Sequence, residues 1–430
     1  MKNVPRLLTI LGVLLSVIGL VLWLGAAVDK GQPAYFWGLW LLVAAVGVHM
    51  VRVYLVAGRR ELIDLIRRSA RKMMVPLLGV GAAIVIGGIL MLVTGYDPVR
   101  AYGALIYGGL VRNWHISVLN AAPLIFTALS VAFAFKAGLF NIGAEGQYYM
   151  GAMAATWLSL RLTLPGVVSI PLIFVFAGLF GVLWNIVPAY LKVRTGAHEV
   201  ITTMMLAHTA RYLSPIFIRA NGGDPAFSTH PYVTDTIPET VWFPMFKDFL
   251  PRANYRVHTG ILLAVVVALV IYYILYHTTI GFEIRAVGEN KDAARAQGIS
   301  VGKNIFRALL IAGFLAALAG FNQVNGLDHR LFENLQAGYG WNGISVALLA
   351  GGHPIGVVFT GLLWGTLDAG GQYMSRTTQT PSAIVEIVKG TILFLVVARY
   401  IYTAIGNWHR RRKQQEMIES SIAAAEQEGA

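Results

Sequence analysis

Lys136-Ala137-Gly138-Leu139-Phe140-Asn141-Ile142-Gly143-Ala144-Glu145-Gly146-Gln147 interrupts a long apolar chain. Three glycines within residues 138–146 weaken a helix. Asn141, Glu145 and Gln147 are costly in lipid. One reading is a broken helix lining a polar cavity, where freed backbone groups and amide side chains face a solute. The other is a tight turn at the membrane surface, its polar groups wetted by water. Spacing alone does not divide the two, but both need membrane spans on either side.

Those spans are present. Apolar residues make up 56% of the 430 and charged residues 13%, about half the charged share of a soluble domain. One soluble core cannot take that much apolar surface, whereas a bilayer accepts it as solvent for the outward faces. Runs long enough to span recur at 7–27, 35–57, 73–94, 116–136, 145–163, 167–192, 199–219, 259–280, 303–325 and 381–404. The apolar stretch 342–374 is broken at Gly351-Gly352-His353-Pro354, which predicts a shorter helix followed by a longer one. The expected fold is an all-α polytopic membrane protein with roughly 10–12 transmembrane helices, including a broken or re-entrant pair.

The net charge of +13 resides in short loops between apolar runs, which is the pattern of topology signals and not of a nucleic-acid surface. The linker 58–72 carries Arg59, Arg60, Arg67, Arg68, Arg71 and Lys72, and the tail carries Arg410-Arg411-Arg412-Lys413. Both are expected inside, with N- and C-termini cytoplasmic, so 28–34, 95–115, 220–258 and 326–341 fall outside. The first span is longer than a usual signal h-region, which favours an uncleaved anchor. Three parts are expected: 1–72, an N-terminal extension with two spans and a basic cytoplasmic linker; 73–404, the transmembrane domain; and 405–430, a cytoplasmic tail.

Three further stretches carry polar groups. In Gly196-Ala197-His198-Glu199-Val200-Ile201-Thr202-Thr203, a zinc-protease helix would need a second His at position 202, where Thr stands. The plainer reading is a helix N-terminus, with Glu199 favouring the macrodipole. Residues 282–299 read as a short polar helix running from Asn290, an N-cap candidate, to Gly298, a C-terminal stop. Its small Ala293 and Ala294 suit a knob docking in a partner's groove, and the bland alternative is an interfacial helix. The last is Trp341-Asn342-Gly343 through His353-Pro354, where His353 reads as a helix-end residue.

The chain has no cysteine, and no companion to His353 stands at metal spacing, so no metal site is expected. It contains no phosphate-binding Gly-x-x-x-x-Gly-Lys-Ser/Thr loop and no nucleophile elbow. ATP, if it drives the protein, is hydrolysed elsewhere, and no cofactor is expected in this chain. A membrane-embedded enzyme would need joined acids, whereas Glu145, Glu199, Asp368 and Glu386 stand apart. An ion-coupled carrier would use such intramembrane acids to bind protons.

Together the four stretches resemble the permease family of bacterial ATP-binding cassette importers for sugars, branched-chain amino acids and nucleosides, in its nucleoside-type branch. Residues 138–147 (GLFNIGAEGQ) are the most specific; GAHEVITTMML at 196–206, the 288–299 segment and 343–356 follow in order. His198 and Gln297 depart from the pattern, which has Asn and Ala there. The resemblance covers roughly residues 73–404. It implies a permease that translocates a polar uncharged solute, with nucleosides favoured and simple sugars the alternative. The path would draw on Asn141, Glu145, Gln147, Phe140, Tyr148, Trp341 and Asn342. Gly288, Asn290, Ala293, Ala294 and Gly298 would form the helix that couples to the ATPase. The implied partners are cytoplasmic ATP-binding subunits, a second and non-identical permease, an extracytoplasmic solute-binding protein and the bilayer of the bacterial inner membrane.

Overall fold

Among the described residues the apolar runs fold as helices. The structure is a computed structural model describing residues 79–222, 233–249, 256–333, 335 and 338–395. The expected spans at 7–27 and 35–57, the basic linker and the tail lie outside the described residues. The helices are α1 (Gly79–Val93), α2 (Pro98–Tyr107), α3 (Trp114–Lys136), α4 (Ala144–Ser159), α5 (Gly166–Thr195), α6 (Glu199–Ala220) and α7 (Gly260–His277). They continue as α8 (Thr279–Glu289), α9 (Lys291–Ala296), α10 (Val301–Gln323), α11 (Tyr339–Leu349), α12 (Pro354–Thr378) and α13 (383–395). Among the described residues no strand forms, and two isolated bridges, Val233 with Phe332 and Met245 with His258, tie loops together. Trp114–Lys136, Gly166–Thr195, Gly260–His277 and Val301–Asp328 are long and apolar enough to cross a bilayer. The fold is the all-α polytopic architecture that the apolar runs predict.

The chain divides into two units. The smaller contains the described residues 79–98 and 381–395. Within it, Lys389 is buried and its Nζ lies 2.9 Å from Glu386 Oε1. The larger holds 99–380 and is built around α3. That helix is buried on nearly every face and packs against α7, α10, α11 and α12. A bilayer gives no hydrophobic drive between helices, so close packing of small residues holds them together. α10 accordingly buries Ala308, Ala312, Ala316, Ala317 and Ala319. Gly181 of α5 and Gly313 of α10 meet backbone to backbone, and a Cβ on either would strike the other's carbonyl. The outward face of α5 presents Val168, Leu172, Val175, Leu179, Leu183 and Val187, an apolar stripe of the kind lipid or another membrane subunit covers.

The connections gather at two ends. At one, Thr234 N–H donates to Leu331 O (3.0 Å), Phe243 N–H to Asn325 O (2.9 Å) and Arg161 Nη2 to Asn221 Oδ1 (3.1 Å). At the other, the end of α3, the α8–α9 segment and the α11–α12 break meet, with Tyr276 stacked 5.6 Å from His353. Between residues 116 and 333 the connections alternate between these two ends, and 338–341 depart from the expected 326–341 loop. Residues 338–341 do not stay with the 326–333 end. Thr127 Oγ1 donates to Tyr339 O (2.9 Å), and Thr127 lies nine residues, about 13 Å, before the end of α3. The segment therefore dips into the bundle, and α11 is a half-span that runs on to the α11–α12 break. The dip was hidden because its glycines and aromatics read equally well as a loop.

Candidate functional site

The 136–147 stretch is a turn at the edge of the bundle and an entry into its interior. α3 ends at Lys136, and Gly138 adopts φ +70°, a conformation L side chains rarely take. The chain then runs inward, and Gly143 caps α4. Asn141, fully buried, donates from Nδ2 to Ser130 Oγ and to Gln147 Oε1, each at 3.0 Å. Its Oδ1 accepts from Gly143 N–H and from Gln147 Nε2, each at 3.1 Å. Gln147 Nε2 also donates to Asn185 Oδ1 of α5 (3.0 Å), and Asn185 Nδ2 donates to Leu309 O of α10 (2.5 Å). The amides thus lock α3, α4, α5 and α10 together. An apolar replacement at Asn141 or Gln147 strands its partners, at about 1–3 kcal/mol for each buried group left unpaired.

Glu145 faces the other way. Its two carboxyl oxygens accept from Gly338 N–H and Gly340 N–H, each at 2.7 Å. These are among the first N–H groups of α11, which need partners and carry the positive end of the helix dipole. The bond pair fixes the start of the half-span at mid-bundle depth.

Tyr148 is fully buried, its ring edge-on to Tyr339 with centroids 5.9 Å apart. Phe140 is half-buried against Phe135, 5.1 Å between centroids. Trp341 is 38% exposed and faces His208 of α6, whereas Asn342 Oδ1 accepts from Trp364 Nε1 at 3.4 Å. The structure therefore brings Asn141 and Gln147 together, sets Glu145 and Tyr148 toward α11, and leaves Phe140 and Trp341 apart. Asn185 was missed in the sequence, although a lone amide inside an apolar run marked it.

At the same end, Asn290 Oδ1 accepts from Asp292 N–H (2.9 Å) and Ala293 N–H (3.0 Å), capping α9 as its sequence predicts. Gly298 ends the turn at φ +78°. Of the two alanines, Ala293 is exposed and Ala294 is buried, so Ala293 alone is presented outward. Gly288 lies directly against the end of α3: a Cβ there would strike Lys136 O. Glu199 starts α6, with His198 at its N-cap position, and one of its oxygens lies 2.6 Å from Lys192 Nζ. His353 caps α12, accepting weakly from Gly356 N–H at 3.4 Å. Among the described residues no group of three His, Cys, Asp or Glu is placed to hold a metal ion.

At the far end, His258 Nδ1 accepts from Gly260 N–H at 3.1 Å, which leaves a neutral ring with its proton on Nε2. Burial, then the neighbouring His329, pushes its pKa down to about 3. His329 stacks 3.7 Å over Trp242; burial, with Arg256 and Arg330, lowers it to about 4.

A helical bundle with intramembrane breaks, buried amides and a capped polar helix at one end is the build of a membrane permease. The family described as branched-chain amino acid transport system / permease component matches residues 113–397, and the chain belongs to that family. The guanosine ABC transporter permease protein of Bacillus subtilis is 35% identical over 76% of this chain and 94% of its own length. The nucleoside ABC transporter permease protein NupB of Lactococcus lactis is 32% identical over 77% and 93%, and the glucose ABC transporter permease protein TsgB13 of Haloferax volcanii 34% over 76% and 87%. A second permease from each of these organisms matches at 24–25% identity. No solved structure matches the chain. The chain is a multi-pass transport component of an ABC system, which has ATPase and binding-protein partners, and is not an enzyme.

Proposed function

We propose that this chain is one of two unequal permeases of a nucleoside importer. The observation that carries this is the pair of nucleoside-named relatives, at 32–35% identity over 93–94% of their lengths. The lower similarity to a second permease in each organism supports a heterodimer. A buried interior rich in amides and phenols suits an uncharged polar solute. The glucose-named relative, at 34% identity, favours simple sugars as the second reading.

In this reading an extracytoplasmic binding protein delivers the solute on the 233–249 side. Cytoplasmic ATP-binding subunits dock at α8–α9, and the chain sits in the inner membrane with both termini inside. Asn141, Gln147, Phe140, Tyr148, Trp341 and Asn342 lie along or beside the path, with Glu145 shaping it. The test is uptake of radiolabelled guanosine and glucose by the reconstituted transporter. ATP-dependent guanosine uptake that glucose does not compete supports the proposal, and glucose uptake without guanosine uptake refutes it. Orientation is read by labelling single cysteines with an impermeant reagent: Glu239→Cys reacts in intact cells and Asp292→Cys does not.

A further inference from the structure

One outward face of the bundle is ill suited to lipid. α6 runs from Glu199, paired with Lys192 at one end, to the neighbourhood of Asn221, which accepts from Arg161 at the other. It packs on α4 and α5 through small residues: Ala207, Ala210 and Ser214 are buried, and a Cβ on Gly146 of α4 would strike Ala207 Cα. Its opposite side is exposed and carries Met205, His208, Thr209, Arg211, Tyr212 and Ile216. Arg211 lies 12 residues after Glu199, about 18 Å along the helix, near mid-depth of a hydrocarbon core about 30 Å thick. His208, on the same flank, faces Trp341 with 6.4 Å between ring centroids, and Trp341 belongs to the segment that dips to mid-bundle. Among the described residues Arg211 donates no hydrogen bond and forms no ion pair. The Glu145 carboxylate already holds Gly338 and Gly340 N–H with its two oxygens. An arginine keeps its charge at any working pH, and one at membrane depth pairs with an acceptor or faces water. The outward stripe of α5, apolar from Val168 to Val187, makes no such demand.

That charge decides what covers the face. Lipid tails offer no acceptor. The apolar runs at 7–27 and 35–57 contain no Asp or Glu, and the second adds Arg52. A second copy of this chain meeting α6 with α6 across a two-fold axis would bring the two Arg211 charges toward each other. The only carboxylate of α6, Glu199, is buried and held by Lys192. We propose that the exposed face of α6 is the contact surface for the second, non-identical permease, which presents a carboxylate to the Arg211 guanidinium at mid-membrane depth. The planar guanidinium matches a carboxylate in two parallel bonds. His208, Thr209 and Tyr212 supply the polar and aromatic contacts around it, of the kind that join helices in a bilayer. The inference deepens the proposed function and rests on it for the identity of the partner. A positive face that repels its own copy selects an unlike subunit.

The test uses the assembled transporter, with both permeases and the ATPase. The photoreactive residue p-benzoylphenylalanine replaces Tyr212 in one variant and Leu179, on the α5 stripe, in another. Irradiation in membranes is expected to attach position 212 to the second permease and position 179 to no permease. Mass spectrometry of the adduct names the facing helix, which is expected to carry a carboxylate within one turn of the attachment point. Arg211→Leu suits both helix and lipid, so the membrane level of this chain stays at the wild-type value. The detergent-solubilised transporter then sheds its second permease at about tenfold higher concentration than the parent. Arg211→Glu combined with arginine in place of the facing carboxylate restores the parent behaviour. An adduct within residues 1–72 of the same chain, adducts to lipid alone, or equal yields from positions 212 and 179 overturns the surface. Unchanged dissociation in Arg211→Leu, or failure of the charge exchange to restore it, overturns the pairing and with it the proposal. Guanosine uptake by a transporter whose position 212 reaches no permease removes this inference and leaves the proposed function standing. An adduct to a second copy of this chain overturns the unequal partner in both.

Discussion

Replacing Glu145 by glutamine tests whether α11 is held at mid-bundle by one side chain. The carboxylate accepts two N–H bonds of 2.7 Å from Gly338 and Gly340. Hydrogen bonds to a charged group are worth about 1.5–3 kcal/mol each, and a charge at a helix N-terminus adds roughly 0.3–1 kcal/mol. Glutamine keeps one acceptor and turns its NH2 toward the other N–H, so one bond and the dipole interaction are lost. The expected cost is about 2–4 kcal/mol, and about 3–6 kcal/mol for Glu145→Ala, which strands both donors. If the start of α11 opens locally, amide exchange at residues 338–342 rises about 30- to 700-fold in Glu145→Gln, at 1.4 kcal/mol per decade. Hydrogen exchange read by mass spectrometry in nanodiscs measures this directly. Glu145→Gln should also retain more uptake than Glu145→Ala. Wild-type exchange at 338–342 in the glutamine variant would refute the anchoring role.

At Gly288, valine forces the α8 backbone away from the end of α3; overpacking of about 1–3 kcal/mol should cut uptake about tenfold while ATPase activity persists, and uptake at the wild-type rate would show the contact to be idle. Ala293→Arg should strip the ATPase from the purified complex without lowering membrane insertion, and normal copurification would remove α9 as the docking knob. Asn141→Leu and Gln147→Leu should lower uptake and also thermal stability, since each strands amide partners at about 1–3 kcal/mol per group; uptake lost with stability unchanged would point to solute contact alone, and wild-type uptake in both would leave the network structural. His258 is held neutral in the fold, with its pKa near 3 against 6.5 when solvated. An opened loop therefore takes up a proton that the folded one refuses, so stability of the 233–249 region is full above pH 6.5 and falls as pH drops toward 3. The loss by pH 5 is about 2 kcal/mol, His258→Gln should flatten the dependence, and a pH-independent melt in the parent protein would contradict it.

Much of the fold was legible because membrane spans are written in composition. A lipid-facing helix must be apolar for about 20 residues, and the runs at 116–136, 167–192, 259–280 and 303–325 are. Caps were equally plain: Asn290 and Gly298 are residue types whose side chain or backbone does one job. The dip of 338–341 was not legible, because its depth depends on Glu145 and Thr127, about 195 and 212 residues earlier in the chain. The partners of Asn141 were hidden for a related reason. An amide can hydrogen-bond a solute or another amide, and only the fold places Asn185 within reach of Gln147.

The two sequence readings of residues 136–147 therefore describe two faces of one element. Its first half is a turn, pressed through Gly138 and Lys136 onto Gly288, at the end where α9 presents Ala293. Its second half is interior, with Asn141 and Gln147 bonded across α3, α4 and α5 and Glu145 bonded to the half-span α11. No flexible linker separates the halves: Gly138 and Asn141 are three residues apart. A displacement of Gly288, at the end proposed for ATPase docking, would move Gly138, since their backbones are closely apposed and closely packed interiors transmit strain instead of absorbing it. The amides and Glu145 would then pass that displacement to α5 and to the start of α11, where Tyr339 packs on Tyr148. The shortness of this path, from a small capped helix to a buried phenol through one glycine-rich segment, is what would let a subunit that hydrolyses nothing convert its partner's stroke into a change at a solute.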